Sequence, residues 1–155
     1  MSSAVNYFQS IIPNSSTGQS ISSSTSANII YPTNIYNNGW GINTSAPANT
    51  IFTCPATGSY LILSTTYFFD TAGNGGSPIT VSILKNSTVD TNTSFGGYSS
   101  TGSRSFTFTY LMAINQNDTI SIKVTSQSLP GSFRIRAATI TTNTIAGSLT
   151  FVKIV

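Results

Sequence analysis

From residue 27 onward, apolar and polar residues alternate with a period of two, and Gly, Pro, Asn and Asp interrupt the alternation at short intervals. The clearest example is residues 104–114, in which one face is formed by Phe106, Phe108, Tyr110, Met112 and Ile114. The residues between them include Ser105, Thr107 and Thr109. One face of such a strand packs on a core while the other faces water. This periodicity predicts strands at residues 28–31, 35–42, 50–54, 59–69, 78–85, 104–114, 118–125, 132–141 and 147–155.

The segment from Tyr60 to Phe69 departs from this alternation, because apolar residues occupy both of its faces. A strand that is apolar on both faces is covered twice, once by the core of its own domain and once by a partner. The segment therefore predicts a central strand beside a subunit interface.

Nine short strands separated by turns indicate an antiparallel two-sheet sandwich or jelly roll. A chain of 155 residues predicts one such domain. Residues 1–26 are rich in Ser and Thr and contain only two small apolar clusters. They predict an N-terminal arm that wraps a subunit or anchors the chain to a support. The predicted globular head then spans residues 27–155, and deletion of residues 2–26 is expected to leave it folded.

The composition argues against catalysis. Ser, Thr and Asn make up 41% of the chain, whereas charged residues make up 6%, and there is no His and no Glu. These absences exclude Ser-His-Asp and Cys-His nucleophile pairs, zinc bound by His, and a Glu acid/base pair. We therefore expect a non-enzymatic structural or binding module with no cofactor and no metal.

Charge and sequence motifs also limit the partners. The net charge is +3, and six Lys and Arg residues are scattered, so no basic stripe for nucleic acid is present. Cys54 is the single cysteine, which excludes an intrachain disulfide and predicts a buried, inert thiol. No run approaches the ~18 apolar residues of a membrane helix, and the N-terminus does not resemble a signal peptide. We expect no membrane insertion.

Four segments of the chain carry recognisable motifs. Residues 52–60, Phe-Thr-Cys-Pro-Ala-Thr-Gly-Ser-Tyr, have the pattern Phe-x-Cys-Pro-x-x-Gly-x-Tyr. Together with residues 81–86, 114–124 and 148–155, this segment resembles four motifs, in the same order, of the globular heads of the complement first-component q subunits. The resemblance covers roughly residues 28–155. Two departures are that Asn117 stands where the family has Gly, and that the family's calcium ligands are not recognisable.

This resemblance implies a jelly roll of about ten strands that is tumour necrosis factor-like and homotrimeric, with the Gly-x-Tyr strand near the three-fold axis. It agrees with the apolar character of both faces of the Tyr60–Phe69 segment. The residues predicted to form the trimer interface are Tyr60, Ile62 and Phe151.

Aromatic and cationic side chains suggest a ligand surface formed by Trp40, Tyr98, Arg134 and Arg136, since rings beside amides and hydroxyls suit carbohydrate. The alternatives are that Trp40, which lies between two glycines, fills the core or an interface, and that the arginines occupy a solvated strand face. Residues 70–76 contain the oxygen donors of a calcium loop but lack further carboxylates, so a plain connecting loop is the favoured interpretation.

These observations predict a trimeric head on the surface of a particle, with a virion decoration, cap or fibre head as the leading hypothesis. The N-terminal arm would attach it to a capsid or other particle protein. The alternatives are a soluble, extracellular, lectin-like head that binds glycans or polyanions through loops 70–78 and 92–103, or a head on a bacterial spore surface.

Overall fold

The structure, a computed structural model, describes residues 7–13, 18–22, 25–70, 79–95, 102–126, 133–135 and 145–154 of the chain. The strands in these residues form two antiparallel sheets. The seven-stranded sheet contains β1 (Tyr7–Pro13), β2 (Gln19–Ile21), β4 (Thr33–Asn37), β7 (Gly58–Asp70), β10 (Gly102–Ile114), β12 (Phe133–Ile135) and β13 (Ile145–Lys153). The six-stranded sheet contains β3 (Ser26–Asn28), β5 (Gly41–Ile42), β6 (Phe52–Thr53), β8 (Ile79–Lys85), β9 (Thr88–Phe95) and β11 (Thr119–Ser126). The predicted all-β, two-sheet class is confirmed.

Strand β7 is the centre of the seven-stranded sheet. It pairs along its whole length with β10 on one side, and with β13 and β12 on the other. Strand β1 lies between β13 and β4. The chain crosses repeatedly between the sheets, as in the succession β6, β7, β8, so that residues far apart in sequence share one core.

The predicted alternation along β10 is confirmed. Phe106, Met112 and Ile114 are buried, and Phe108 and Tyr110 are half-buried on the same face. The odd-numbered residues from 105 to 113 are exposed. Strand β11 follows the same rule, with Ile120, Ile122 and Val124 turned into the core.

An aromatic cluster joins the two sheets at one end of the sandwich. Trp40 stacks on Phe151 with 4.2 Å between ring centroids and meets the ring of Tyr60 edge-on at 5.4 Å. Phe8 of the seven-stranded sheet and Phe52 of the six-stranded sheet are 5.0 Å apart. All five side chains are buried. Contact between large apolar surfaces in such tilted and stacked pairs is a main source of core stability.

A small polar network lies inside the same core. The hydroxyls of Tyr31 and Ser64 are 3.1 Å apart, and the hydroxyl of Ser10 donates to the carbonyl oxygen of Tyr31 at 2.9 Å. Burial raises the pKa of Tyr31 to about 12, because the interior disfavours a phenolate. These buried polar groups are therefore satisfied by one another.

The boundary predicted between residues 26 and 27 is wrong. Strand β1 is an internal strand, and its Phe8, Ser10 and Ile12 belong to the core. Ile21 of β2 is also buried, and β3 pairs with β11. The low apolar content of residues 1–26 misled the prediction, because a strand between two others needs only one apolar face and gains backbone hydrogen bonds on both sides.

Two turns place residues other than Gly in left-handed backbone. Asn86 and Ser87, between β8 and β9, have φ values of 51° and 66°. Asn117, in the turn before β11, has φ 71°. Left-handed backbone is least costly for Gly, but Asn tolerates it comparatively well.

The strand predictions missed β9 and merged β4 and β5 into one strand at residues 35–42. Residues 88–95, Thr-Val-Asp-Thr-Asn-Thr-Ser-Phe, are too polar to give a hydrophobic period, yet they pair with β8 along its whole length. The strand predicted at 132–141 is observed as Phe133–Ile135, and residues 136–141 lie outside the described part of the chain.

Candidate assembly interface

The outward face of the seven-stranded sheet presents a row of large apolar side chains. Leu61 of β7 lies opposite Leu111 of β10 on one side and Val152 of β13 on the other, and Val152 lies opposite Tyr7 of β1. Leu63 follows Leu61 on the same face of β7. We call these five residues, Tyr7, Leu61, Leu63, Leu111 and Val152, the assembly face.

The assembly face is accessible to solvent in the single chain. Leu111 is 59% exposed, and the other four members are half-buried. Two neighbouring apolar residues, Tyr36 and Ile154, are 50% and 54% exposed. The outward residues of β7 between Ser59 and Tyr67, and their described partners on β10, β13 and β1, include no charged side chain. An uncharged face of this kind is typical of the centre of a protein interface.

The same face becomes polar toward the other end of the sheet. Thr65 and Thr107 lie opposite each other with their hydroxyl oxygens 3.0 Å apart. Ser148 lies opposite Thr65 from the other side, and Thr109 and Thr150 flank Leu63. The outward surface therefore divides into an apolar end and a hydroxyl-lined end.

The three residues predicted to form the trimer interface are not on this face. Tyr60, Ile62 and Phe151 have no exposed surface, and all three point into the sandwich. That residue assignment is wrong, because the prediction chose the inward set of β7. The sequence of β13 contains a signal for the correct assignment. Thr150 and Val152 lie on one face of the strand and Phe151 on the other, and the polar Thr150 indicates that its own face is the outward one.

Sequence reasoning also missed the outward residues that replace them. Leu111 interrupts the otherwise polar face of β10, which runs through Ser105, Thr107 and Thr109. An isolated large apolar residue on a solvent face is ordinary by itself. Only the strand pairing places Leu111 beside Leu61 and so makes a patch.

The predicted ligand surface is not assembled in the described residues. Trp40 is 3% exposed and belongs to the aromatic cluster, as the alternative interpretation held. Arg134 is half-buried on β12, opposite Phe69 at the far end of the seven-stranded sheet. Tyr98 and Arg136 lie outside the described residues. Trp40 is therefore excluded from the predicted ligand surface, and the rest of that prediction is not tested by the described residues.

The loop considered for calcium begins where β7 ends at Asp70, and residues 71–78 lie outside the described part of the chain. Within the described ranges, no cluster of three or more His, Cys, Asp or Glu residues forms a candidate metal site. Cys54 is buried as expected, and its thiol donates to the carbonyl oxygen of Ala56.

Asp118 connects the turns at one end of the sandwich. Its carboxylate accepts hydrogen bonds from the side-chain amide of Asn86 at 2.7 Å and from the backbone N–H of Asn115 at 2.9 Å. These bonds hold the pKa of Asp118 below its ordinary value, with the Asn86 bond as the largest cause. The side-chain amide oxygen of Asn86 in turn accepts a hydrogen bond from the backbone N–H of Thr119. These hydrogen bonds give Asp118 a structural role in holding the turns together.

No protein family model matches the sequence, and no curated protein matches it. Solved structures do. One is the Eiger tumour necrosis factor from S. frugiperda, with a TM-score of 0.66 and 11% sequence identity over 97% of this chain and 93% of that one. The chain has a tumour necrosis factor-like fold. At this identity the likeness establishes the fold alone, and the resemblance to complement heads in particular stays a prediction.

The described residues contain no helix that is long and apolar enough to cross a membrane.

Proposed function

We propose that the chain is a non-enzymatic structural head that assembles as a homotrimer through the assembly face. The observation that carries this proposal is the uncharged row from Leu111 through Leu61 and Val152 to Tyr7, which is half-buried or exposed in the single chain. Covering apolar surface contributes about 25 cal/mol per Å². Sister subunits supply that cover in closed symmetry without leaving a copy of the patch exposed. The tumour necrosis factor-like fold supports the choice of three subunits.

Light scattering coupled to size exclusion at micromolar concentration tests the assembly. We expect the wild-type protein to have three times the chain mass of 16.3 kDa. The double variant Leu61→Asp, Leu111→Asp is expected to remain folded and become monomeric, because it places carboxylates in the middle of the interface.

Val89→Asp is the matched control, since Val89 is 45% exposed on β9 of the other sheet. This control should stay trimeric. A monomeric wild-type protein, or a double variant that is folded and still trimeric, would overturn the proposal.

We further propose that the trimer is displayed on a particle surface, with a virion as the leading location and a bacterial spore as the alternative. Support comes from the composition, because 6% charged residues and abundant hydroxyls and amides leave function to interfaces rather than to reactive groups. The N-terminal tether proposed for this display can no longer include β1 to β3, which are part of the fold.

Immunogold electron microscopy of particles from the source organism tests the location. We expect antibodies against the folded trimer to label intact particles. Label confined to soluble protein would contradict display on a particle.

A second candidate function, glycan recognition by a soluble, extracellular head, has one specific observation in its favour. Tyr36, which is 50% exposed, and the half-buried Tyr7 form a ring pair with centroids 5.3 Å apart, beside the polar side chains of Gln9 and Asn34. Tyrosine rings beside amides suit the apolar face and the hydroxyls of a sugar. A glycan array with wild type and Tyr36→Ala tests this candidate, which requires a discrete glycan whose signal is lost in the variant.

A further inference from the structure

A small cavity opens at the side of the sandwich where the two sheets end in β9 and β10. Its volume is about 40 Å³, and its lining is Val81, Ile83, Thr91, Phe108, Thr109 and Tyr110. Val81 and Ile83 are buried and form an apolar floor. The half-buried rings of Phe108 and Tyr110 form the wall on the side of β10. The space is sufficient for a few methyl-sized groups but not for a large ligand.

A β-bulge places a carboxylate beside this cavity. Ile83 pairs with Thr91 and Leu84 pairs with Val89, so Asp90 is the extra residue of β9. A bulge bends the strand and redirects the side chain at that point. Hydrogen bonding to the Asp90 carboxylate is the largest cause that raises the pKa of Tyr110, followed by the negative charge of that carboxylate, because both favour the protonated phenol. Asp90 is one of only three acidic residues in the chain.

Within the described residues, the Asp90 carboxylate interacts with the phenol of Tyr110. It is solvent-exposed, whereas the cavity beside it is lined by two aliphatic side chains, two aromatic rings and two threonines. An alkylammonium ion satisfies both features at once. Its charge is attracted by the carboxylate and by the faces of aromatic rings, and its methyl or methylene groups fill an apolar space.

We propose that this cavity binds a small alkylammonium group, with Asp90 as the counter-ion and with Phe108 and Tyr110 as the aromatic wall. A neutral sugar is the less favoured occupant, because the apolar floor of Val81 and Ile83 offers it no side-chain hydrogen-bond partner and a neutral molecule gains no ion pair with Asp90. The inference does not depend on trimer formation, since Phe108 and Tyr110 project from the face of β10 opposite to Leu111.

The test is an amide NMR titration of the wild-type protein with tetramethylammonium chloride and, separately, butylammonium chloride. Sodium chloride at the same ionic strength is the reference. Saturable shifts are expected for amides near residues 81–83, 90–91 and 108–110. Asp90→Asn should weaken the affinity at least about threefold, as expected for loss of an exposed ion pair. Phe108→Leu should weaken it by a similar factor through loss of a ring.

Two variants keep the result interpretable. Asp118→Asn makes the same charge change away from the cavity and should leave the affinity unchanged. Tyr110→Phe keeps the ring but removes the bond to Asp90, so the affinity for a cation should stay the same or rise. Absence of saturable shifts, an Asp90→Asn variant with wild-type affinity, or tighter binding of N-acetylglucosamine at the same amides would each overturn the proposal.

Discussion

The two faces of the seven-stranded sheet have similar apolar side chains and different surroundings. On the inward face, Tyr60, Ile62 and Phe151 have no exposed surface. On the outward face, the adjacent residues Leu61 and Val152 are half-buried and contact no second layer within the described chain. Side-chain chemistry therefore does not distinguish the core from the assembly face. The parity of each residue along its strand does, because successive side chains point to opposite sides of a sheet.

The difference also explains why a doubly apolar strand was recognised while its interface residues were misassigned. Apolar residues at successive positions of a strand indicate that both of its faces are buried, but they do not show which face is turned toward the core of the domain. Replacing residues in inward and outward pairs separates the contributions of the two faces.

The largest effect is expected from deletion of residues 2–13, which removes β1 and with it part of both faces. Phe8, Ser10 and Ile12 leave the core, and β13 and β4 lose their shared neighbour. We expect no cooperative unfolding transition in circular dichroism. Deletion of residues 2–6 is the control and should retain the transition. A sharp melt of the longer deletion near the wild-type temperature would show that β1 is dispensable.

Next in size is the pair Phe151→Ala and Val152→Ala. Phe151 contacts Trp40, Phe8 and Phe52, so its truncation should lower the free energy of unfolding by about 3–5 kcal/mol. Val152→Ala should cost about 1 kcal/mol or less within the subunit, because its side chain is outward and half-buried.

Urea unfolding at several protein concentrations separates subunit stability from assembly for this pair. If the two substitutions lowered the free energy of unfolding equally at low protein concentration, the assignment of Phe151 to the inward face and Val152 to the outward face would be contradicted.

A smaller effect is expected where β13 passes close to its neighbours. A Cβ atom at Gly147 would lie 2.8 Å from the carbonyl oxygen of Thr65 and 2.9 Å from the Ile12 side chain. Gly147→Ala should therefore cost about 1–3 kcal/mol through overpacking. Ser148→Ala, on the outward side, is the control and should change stability by about 0.5 kcal/mol or less. A neutral Gly147→Ala would mean that the strands separate easily at this point.

The smallest effect concerns one buried and one exposed hydroxyl. Tyr31→Phe removes the bond to Ser64 and should cost about 1 kcal/mol at neutral pH, whereas Thr107→Val should cost less because its bond to Thr65 is exposed. The pKa of Tyr31 is raised from 10.0 to about 12, so the folded chain keeps a proton that the unfolded chain loses. The stability that this contributes is complete below pH 10 and is lost as the pH rises through about 12.

Denaturant unfolding of wild type and Tyr31→Phe between pH 8 and pH 12 measures this effect. The stability difference between them should be constant up to about pH 10 and should shrink above it. A constant difference up to pH 12 would indicate that the Tyr31 phenol ionises as easily when folded as when unfolded.

Much of the fold was predictable because it depends on local periodicity. The alternation along β10 and the strand predicted at residues 118–125 depend on short stretches of sequence, and the structure confirms them. Strand β9 was not predictable in this way, since it is a polar segment that forms a strand because it pairs with β8. Strand β1 contains apolar residues, but they lie in a Ser- and Thr-rich region, and its place in the sheet depends on its pairing with β13 and β4. The bulge at Asp90 is equally non-local, because it exists only relative to the register of β8.

By itself, the sequence determined that the chain is all-β, that it contains no His and no Glu, and that its central strand is apolar on both sides. Composition and period-two alternation carry that information locally. The tertiary structure decided which side of β7 faces the core, placed Leu111 beside Leu61, and put Trp40 among the buried rings. Those outcomes depend on register between strands distant in the chain, and one residue of slip would exchange every inward side chain for an outward one.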